Sequence, residues 1–479
     1  MLFNSISYLL FLPVAYLLFT VTGERGRWCA LLAASLAFYA ALNALHLLEV
    51  LGLVTVVTYG AGICIGQSAS PTLKRALLWS GIAANALILV VMKYLPFLME
   101  NLRSLASLLA VPMSIPPMTA LVSIGVSYYI FQAMSYLFDV YLELEPPERH
   151  LGYFALYLAF FPKLLQGPIE RGGDLLPQLK ERYEFNYANV RLGILLFAWG
   201  LFKKVVIADR LGMYVDTVYN NVHGFGGLSL LLATYGYAFQ IYADFSSYTD
   251  MALGSALLFN IRLTQNFNRP YMATSVADFW RRWHISFSRW ILDYIFKPLQ
   301  MQWRGWSNWG TAAALLVAFL ISGLWHGASW GFLVWGGLHG LYMACSVFYR
   351  PYQKKLHRAL GLEKSWVLKT WQILVTFNLV CFAWIFFRAS SLEDAIYVIS
   401  HVASDVPGAT SKLLLSQGRL ELMALVVLIA LSSIFGFQRS LAFLQSRNKI
   451  LRHSVYYLFV VSIVLFGISE STGFIYTGF

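Results

Sequence analysis

From Gly305 to Tyr349 the chain runs for forty-five residues without an Asp, Glu, Lys or Arg. As helix at ~1.5 Å per residue this is ~68 Å, about two crossings of a ~30 Å hydrocarbon layer. The only side chains in it that titrate near neutral pH are His326 and His339. An ionisable group at that depth is costly, which makes it a functional candidate by default. His326, within Ser322-Gly323-Leu324-Trp325-His326-Gly327, is the first such candidate. Its position sets a condition. It lies near the midpoint of the run, so a symmetrical hairpin would carry it to a surface turn. A buried role calls for a preceding helix that is short, tilted or broken. His339 reads instead as a packed histidine bonded to backbone. Gly327, Gly331, Gly336 and Gly340 around it give small-x-x-x-small patterns for close helix approach.

The rest of the chain agrees with lipid as its solvent. It is 58% hydrophobic and 12% charged over 479 residues, against ~25% charged in ordinary soluble domains. Apolar pieces of spanning length recur near 2–22, 28–43, 46–66, 77–98, 118–140, 151–169, 188–208, 227–257, 309–325, 327–347, 370–387, 419–437 and 454–470. They predict an all-α polytopic membrane protein with about eleven to thirteen segments, several irregular. No soluble domain interrupts them, so residues 1–479 read as one membrane domain. Fifteen Trp suit interfacial belts. The Met1-Leu2-Phe3 start lacks a basic leader and a small-residue cleavage site, and reads as an uncleaved anchor.

A net charge of +12 would suggest nucleic acid in a soluble protein. Here the cations fall in loops between spans, so no nucleic-acid partner is expected. Arg350, Lys354, Lys355, Arg358, Lys364 and Lys369 form one basic loop; Arg439, Arg447, Lys449 and Arg452 form another. Both are expected on the cytoplasmic side, two spans apart. Cys29, Cys64, Cys345 and Cys381 are isolated and show no metal or disulfide spacing.

Two segments depart from simple spans. Pro162 and Pro168 bracket Lys163-Leu164-Leu165-Gln166-Gly167 and should break a helix within or at the edge of the membrane. Irregular backbone survives at that depth only where protein or a watery cavity satisfies it. The alternative is a plain interfacial loop. The stretch from Asp278 to Pro298 reads as an amphipathic helix at the membrane surface. Trp283, Phe287, Trp290 and Tyr294 share one face, and Arg282, Ser286, Arg289 and Asp293 the other. Asp278 with Arg282 and Arg289 with Asp293 are i,i+4 pairs. Between Arg262 and Arg304 seven basic residues face two acids, a balance suited to lipid headgroups or to an anionic phosphate-bearing donor. His284 lies in this stretch.

Asp278-Phe279-Trp280-Arg281-Arg282-Trp283-His284-Ile285-Ser286, followed about forty residues later by Gly323-Leu324-Trp325-His326-Gly327-Ala328, closely resembles the membrane-bound O-acyltransferase family. Within it, the likeness is to the bacterial branch containing the alginate O-acetyltransferase membrane subunit and the teichoic acid D-alanyltransferase. Gly125-Val126-Ser127-Tyr128-Tyr129-Ile130-Phe131-Gln132, Phe161-Pro162-Lys163-Leu164-Leu165-Gln166-Gly167-Pro168-Ile169, Asp244-Phe245-Ser246-Ser247-Tyr248-Thr249-Asp250-Met251, Asn266-Phe267-Asn268-Arg269-Pro270-Tyr271 and the terminal Phe474-Ile475-Tyr476 are similar to that branch too.

The resemblance implies helices around a central channel, with His326 as the essential catalytic residue and His284 assisting it. The position of His284 is Asn in many eukaryotic relatives. It implies an acyl thioester co-substrate, acetyl-coenzyme A or an acyl carrier protein, arriving from the cytoplasm. An acceptor hydroxyl would be acylated on or towards the opposite side. The expected enzyme is an O-acetyltransferase of the bacterial cytoplasmic (inner) membrane, serving alginate, another exported polysaccharide or a cell-wall polymer. Membrane lipids and periplasmic or extracellular acetyltransferase proteins are the expected partners, and no tightly bound cofactor or metal is expected. Asp244, Tyr248, Asp250, Asn266, Arg269, Arg282 and Trp325 are candidates for lining the channel or holding the donor. Asp244 and Asp250 have a second reading as buried acids paired with nearby cations. The alternatives are D-alanyl transfer from a carrier protein to teichoic acid and, in another class, a transporter or flippase, which predicts inverted repeats.

Overall fold

The computed structural model of the protein describes residues 1–111, 121–404, 449–467 and 473–475. Among them the only regular secondary structure is helix, with no strand. The expected span at 419–437, Arg439, Arg447, Pro116, Pro117 and Tyr476 lie outside the described residues. The chain divides into two compact units. One comprises Met1–Phe197, Tyr248–Thr264 and Gly473–Phe479, the other Ala198–Ser247 and Gln265–Thr472.

The first unit contains α1 (Ile6–Val21), α2 (Arg27–Ala40), α3 (His46–Gln67), α4 (Pro71–Leu89), α5 (Leu95–Leu108), α6 (Val126–Tyr141), α7 (Leu151–Ala159), α8 (Gly172–Lys180) and most of α9 (Tyr187–Phe202). Helix α6 is its core. Almost every residue from Val126 to Val140 is buried, the polar Ser127, Gln132, Ser135 and Asp139 included, so the helix is enclosed on all sides. Glycines admit its larger side chains: a Cβ at Gly62 would lie 2.7 Å from the Tyr136 ring, and one at Gly81 2.8 Å from Leu137. Asn85 ties α4 to α3 by donating to Thr58 Oγ1 at 3.1 Å, the kind of polar link that holds membrane helices together.

The second unit contains α10 (Asp209–Tyr219), most of α11 (Gly227–Leu258), α12 (Val276–Trp280), α13 (Ile285–Ile291), α14 (Lys297–Gln302), α15 (Ser307–His326), α16 (Trp330–Ala359), α17 (Trp366–Arg388), α18 (Leu392–His401) and α19 (Lys449–Phe466). Wide π-turns interrupt the helical register at Val90–Tyr94, Lys203–Ala208 and Leu292–Phe296. Helices α15 and α16 form a tight hairpin on glycine. A Cβ at Gly336 would meet the Phe319 carbonyl oxygen at 2.4 Å, and one at Gly323 the Phe332 carbonyl oxygen at 2.3 Å. Both obstacles are backbone, so only glycine lets the helices come this close.

Five helices among the described residues are long and apolar enough to cross a membrane: His46–Gln67, Pro71–Leu108, Arg304–His326, Trp330–Ala359 and Trp366–Arg388. They expose Leu53, Val56, Trp371 and Leu374 on their outer faces. In water such faces are an aggregation liability; in lipid they are the solvated surface.

Candidate functional site

The segment expected to be one amphipathic helix from Asp278 to Pro298 is broken at His284. Helix α12 ends at Trp280, and α13 begins at Ile285. His284 turns the corner in the left-handed conformation, φ 43°, which a non-glycine residue adopts only where its surroundings hold it. The holding group is Asn266, eighteen residues upstream. Its carbonyl accepts from Ile285 N at 3.0 Å, and its side-chain oxygen accepts from Ser286 N at 3.0 Å. It thus satisfies two N–H groups that open α13. Asn268 N adds a bond to the Arg282 carbonyl at 2.9 Å. The expected aromatic face survives the break, since Trp283, Phe287, Trp290 and Tyr294 are all buried. Of the expected ion pairs, Arg282 reaches Asp278 at 3.0 Å, whereas Asp293 takes Lys297 at 2.6 Å.

His326 is the last residue of α15, and Gly327-Ala328-Ser329 leads into α16. It does sit at the hairpin turn, yet it is only 2% exposed. Helix α15 is neither broken nor shortened to achieve this. The turn itself is covered. Trp335 of α16 meets the imidazole edge-on at 4.8 Å between centroids, and Phe387 of α17 at 5.2 Å. A Cβ at Gly327 would stand 2.1 Å from the Phe332 ring, so glycine there lets α16 fold over the turn.

The two histidines share neighbours. Phe287 lies 5.0 Å from His284, 5.6 Å from His326 and 4.4 Å from Trp325, centroid to centroid. Trp325 is 5.9 Å from His284 and 4.9 Å from His326. Phe245 of α11 closes over His284 at 4.8 Å. His284 is fully buried and lies outside the five candidate spans; burial holds its imidazole well below its usual range, so it is neutral at physiological pH. One turn before His326, the Ser322 hydroxyl is buried with no hydrogen-bond partner among the described residues. It is an unspent donor close to the histidine.

The other candidates separate. Asp244 lies in the same unit as the histidines and forms a buried pair. Lys204 Nζ bridges it at 2.7 Å and Asp209 at 2.8 Å. That favours the reading of Asp244 as a paired acid. Asn266 acts as the clamp just described, and its Nδ2 has no partner among the described residues. Arg269 is half-buried in the left-handed conformation, φ 50°, with its Nε likewise unspent. Tyr248 and Asp250 belong to the first unit and are buried there; Tyr248 stacks on Phe3 at 4.5 Å and meets Phe474 edge-on at 5.2 Å. His339 is packed as expected, but its bond is to a side chain: Trp280 Nε1 donates to its Nδ1 at 3.2 Å.

Sequence reasoning missed Phe287, Trp335 and Phe387 as the walls of the site: Phe287 read only as one of four aromatics on an amphipathic face, and in the apolar runs of Trp335 and Phe387 one more aromatic carries no signal. Among the described residues no group of three His, Cys, Asp or Glu side chains converges as a metal site requires.

A model of the membrane-bound O-acyltransferase family matches residues 148–390. A peptidoglycan O-acetyltransferase of Helicobacter pylori is 33% identical over 436 residues, covering 83% of this chain and 79% of the relative. A probable alginate O-acetylase AlgI of Pseudomonas aeruginosa is 36% identical over 403 residues, 82% of this chain and 73% of the relative. A teichoic acid D-alanyltransferase of Bacillus subtilis is 28% identical over 283 residues, 57% and 70%. The family model covers the α12–α13 corner and the α15–α16 turn alike, and the relatives' likeness extends over most of the chain. The chain therefore belongs to the membrane-bound O-acyltransferase family, as a multi-pass membrane acyltransferase.

Proposed function

We propose that this protein passes acetyl groups from a cytoplasmic thioester, acetyl-coenzyme A or an acyl carrier protein, towards the O-acetylation of a bacterial polysaccharide. The observation that carries the reading is His326 buried at a covered turn, sharing Phe287 and Trp325 with the second histidine. His326 is the general base. A neutral imidazole takes the proton of an acceptor hydroxyl as the oxygen attacks the thioester carbonyl. The C–O bond forms, the C–S bond breaks, and the proton passes from the imidazole to the departing sulfur. The ring-walled setting excludes water that would hydrolyse the thioester and strengthens any donor aimed at the developing oxyanion. His284 positions or polarises a reactant beside His326. Trp325, Arg269 and Arg282 remain the candidates for contact with donor or acceptor.

The names of the relatives point to alginate and peptidoglycan as acceptor classes, and the bacterial inner membrane is the setting we propose. Partner acetyltransferases outside the membrane would complete delivery to the polymer. The test is polymer acetylation in cells carrying His326→Ala at normal membrane levels. Acetylation should be lost, and full retention would overturn the assignment. Mass spectrometry of the wild-type polymer identifies the acyl group; D-alanyl esters in place of acetyl would transfer the reading to D-alanyl transfer.

A further inference from the structure

Within the second unit a cavity of about 930 Å³ lies beside α13 and the α15–α16 hairpin. This is near the upper end of the ~300–1,000 Å³ usual for small-molecule pockets. Its body is apolar, lined by Leu315, Ala318, Phe319, Met343 and Val347. Its polar lining carries four cations, Arg281, Arg289, Arg350 and Lys354, and no carboxylate.

The pairing of the nearby charges is selective. Arg282 is neutralised by Asp278, Lys297 by Asp293 and Arg358 by Glu363. Arg289, Arg350 and Lys354 are exposed and pair with no acid among the described residues. Arg350 and Lys354 stand one turn apart and share a face of α16. From Met343 to Lys354 that helix rises ~16 Å. An apolar slot of this length with unpaired cations on its lining matches an amphiphile with an anionic head.

We propose that this cavity holds one anionic phospholipid, an acyl chain along Leu315, Ala318 and Met343 and the phosphate on Arg350 and Lys354, with Arg289 beside it. Moving an acyl chain from the bilayer into an apolar slot gains little, because lipid tails are as apolar as the lining. Discrimination must therefore come from the charges, as in other basic pockets between membrane helices. The bound lipid wedges α13, which carries Phe287, against α15, which ends in His326. Occupancy is read without turnover, so this proposal and the acetyl-transfer reading fail separately.

The full-length protein, purified in detergent, is exposed to equal amounts of phosphatidylglycerol and phosphatidylcholine, and retained lipid is measured by native mass spectrometry. The wild type should keep phosphatidylglycerol over phosphatidylcholine by on the order of tenfold. Arg350→Gln/Lys354→Gln, exposed and safe for folding, should bring the ratio near one. Ala318→Trp, if it folds, should retain neither lipid. A wild-type ratio in the charge variant overturns the proposal. So does displacement of the retained lipid by glycerol 3-phosphate alone, which would assign the cations to a headgroup without its chain.

Discussion

Two buried stretches leave regular helix, one in each unit, and they are stabilised in opposite ways. In the first unit Phe160–Glu170 is buried throughout, and polar bonds hold it. Lys163 Nζ donates to Gln132 Oε1 at 2.5 Å, Gln132 Nε2 to the Glu170 carbonyl at 3.0 Å, and Tyr157 to that carbonyl at 3.0 Å. Thr264 donates its N–H and its hydroxyl to the two Glu170 carboxylate oxygens at 2.6 and 2.9 Å. In the second unit the corner at His284 is fastened by backbone and Asn266, while rings surround its imidazole and that of His326. A polar network of this kind fixes shape through Lys163, Gln132, Tyr157, Thr264 and Glu170, while the buried Gln166 amide in the same stretch has no partner among the described residues. Around His284 and His326 the walls are aromatic rings, so packing contributes to fixing the imidazoles. On this contrast we read Phe160–Glu170 as scaffold and the histidine corner as the proposed working site.

The largest effect should come from His326→Ala. A general base is worth ~10²–10⁴-fold, so acetyl transfer should fall by that factor while thermal unfolding in detergent stays put. A loss of folding matching the loss of activity would erase the contrast between the regions. The complementary change is Lys163→Met, which strands Gln132 Oε1 in the core. Stability should drop by about 1–3 kcal/mol, with acetylation per folded molecule unchanged. A variant as stable as wild type but inactive would move Lys163 from scaffold to chemistry.

Sequence and structure part company at identifiable residues. Hydropathy placed spans at 46–66 and 370–387, and the helices run His46–Gln67 and Trp366–Arg388. Lipid-facing length is a local property, so it is legible locally. The prolines at 162 and 168 likewise announced a break, and α7 stops at Ala159. The break at His284 had no such signal. Residues 278–298 fit one continuous helix at every position, and the deciding bonds come from Asn266, which no periodicity reveals. The burial of His326 rests on Phe387, some sixty residues away, so the charge-free run could show its depth in the chain but not its cover. The three π-turns are similarly silent, because one extra residue in a turn leaves hydropathy unchanged.

His284 tests how far the site is a pair. His284→Ala should cost less than His326→Ala, on the order of tenfold in acetyl transfer, as expected for a residue that polarises or positions and does not itself take the proton. His284→Asn keeps a hydrogen-bonding side chain and should recover part of that loss. Rates that stay at the alanine level in the asparagine variant would leave His284 as packing alone.

The smallest expected effect, and the finest test of the comparison, is at Phe287. Its ring touches both histidines and Trp325. Phe287→Leu keeps the apolar volume roughly but removes the flat wall, so the stability cost should stay below ~1.5 kcal/mol. If packing is what fixes the imidazoles, acetyl transfer should fall several-fold with the protein still folded, because a small displacement of a catalytic group weakens its alignment. Unchanged transfer in Phe287→Leu would show that the rings merely fill space. The orientation of the histidines would then have to come from polar bonds, as it does for Lys163, and the two regions would be alike after all.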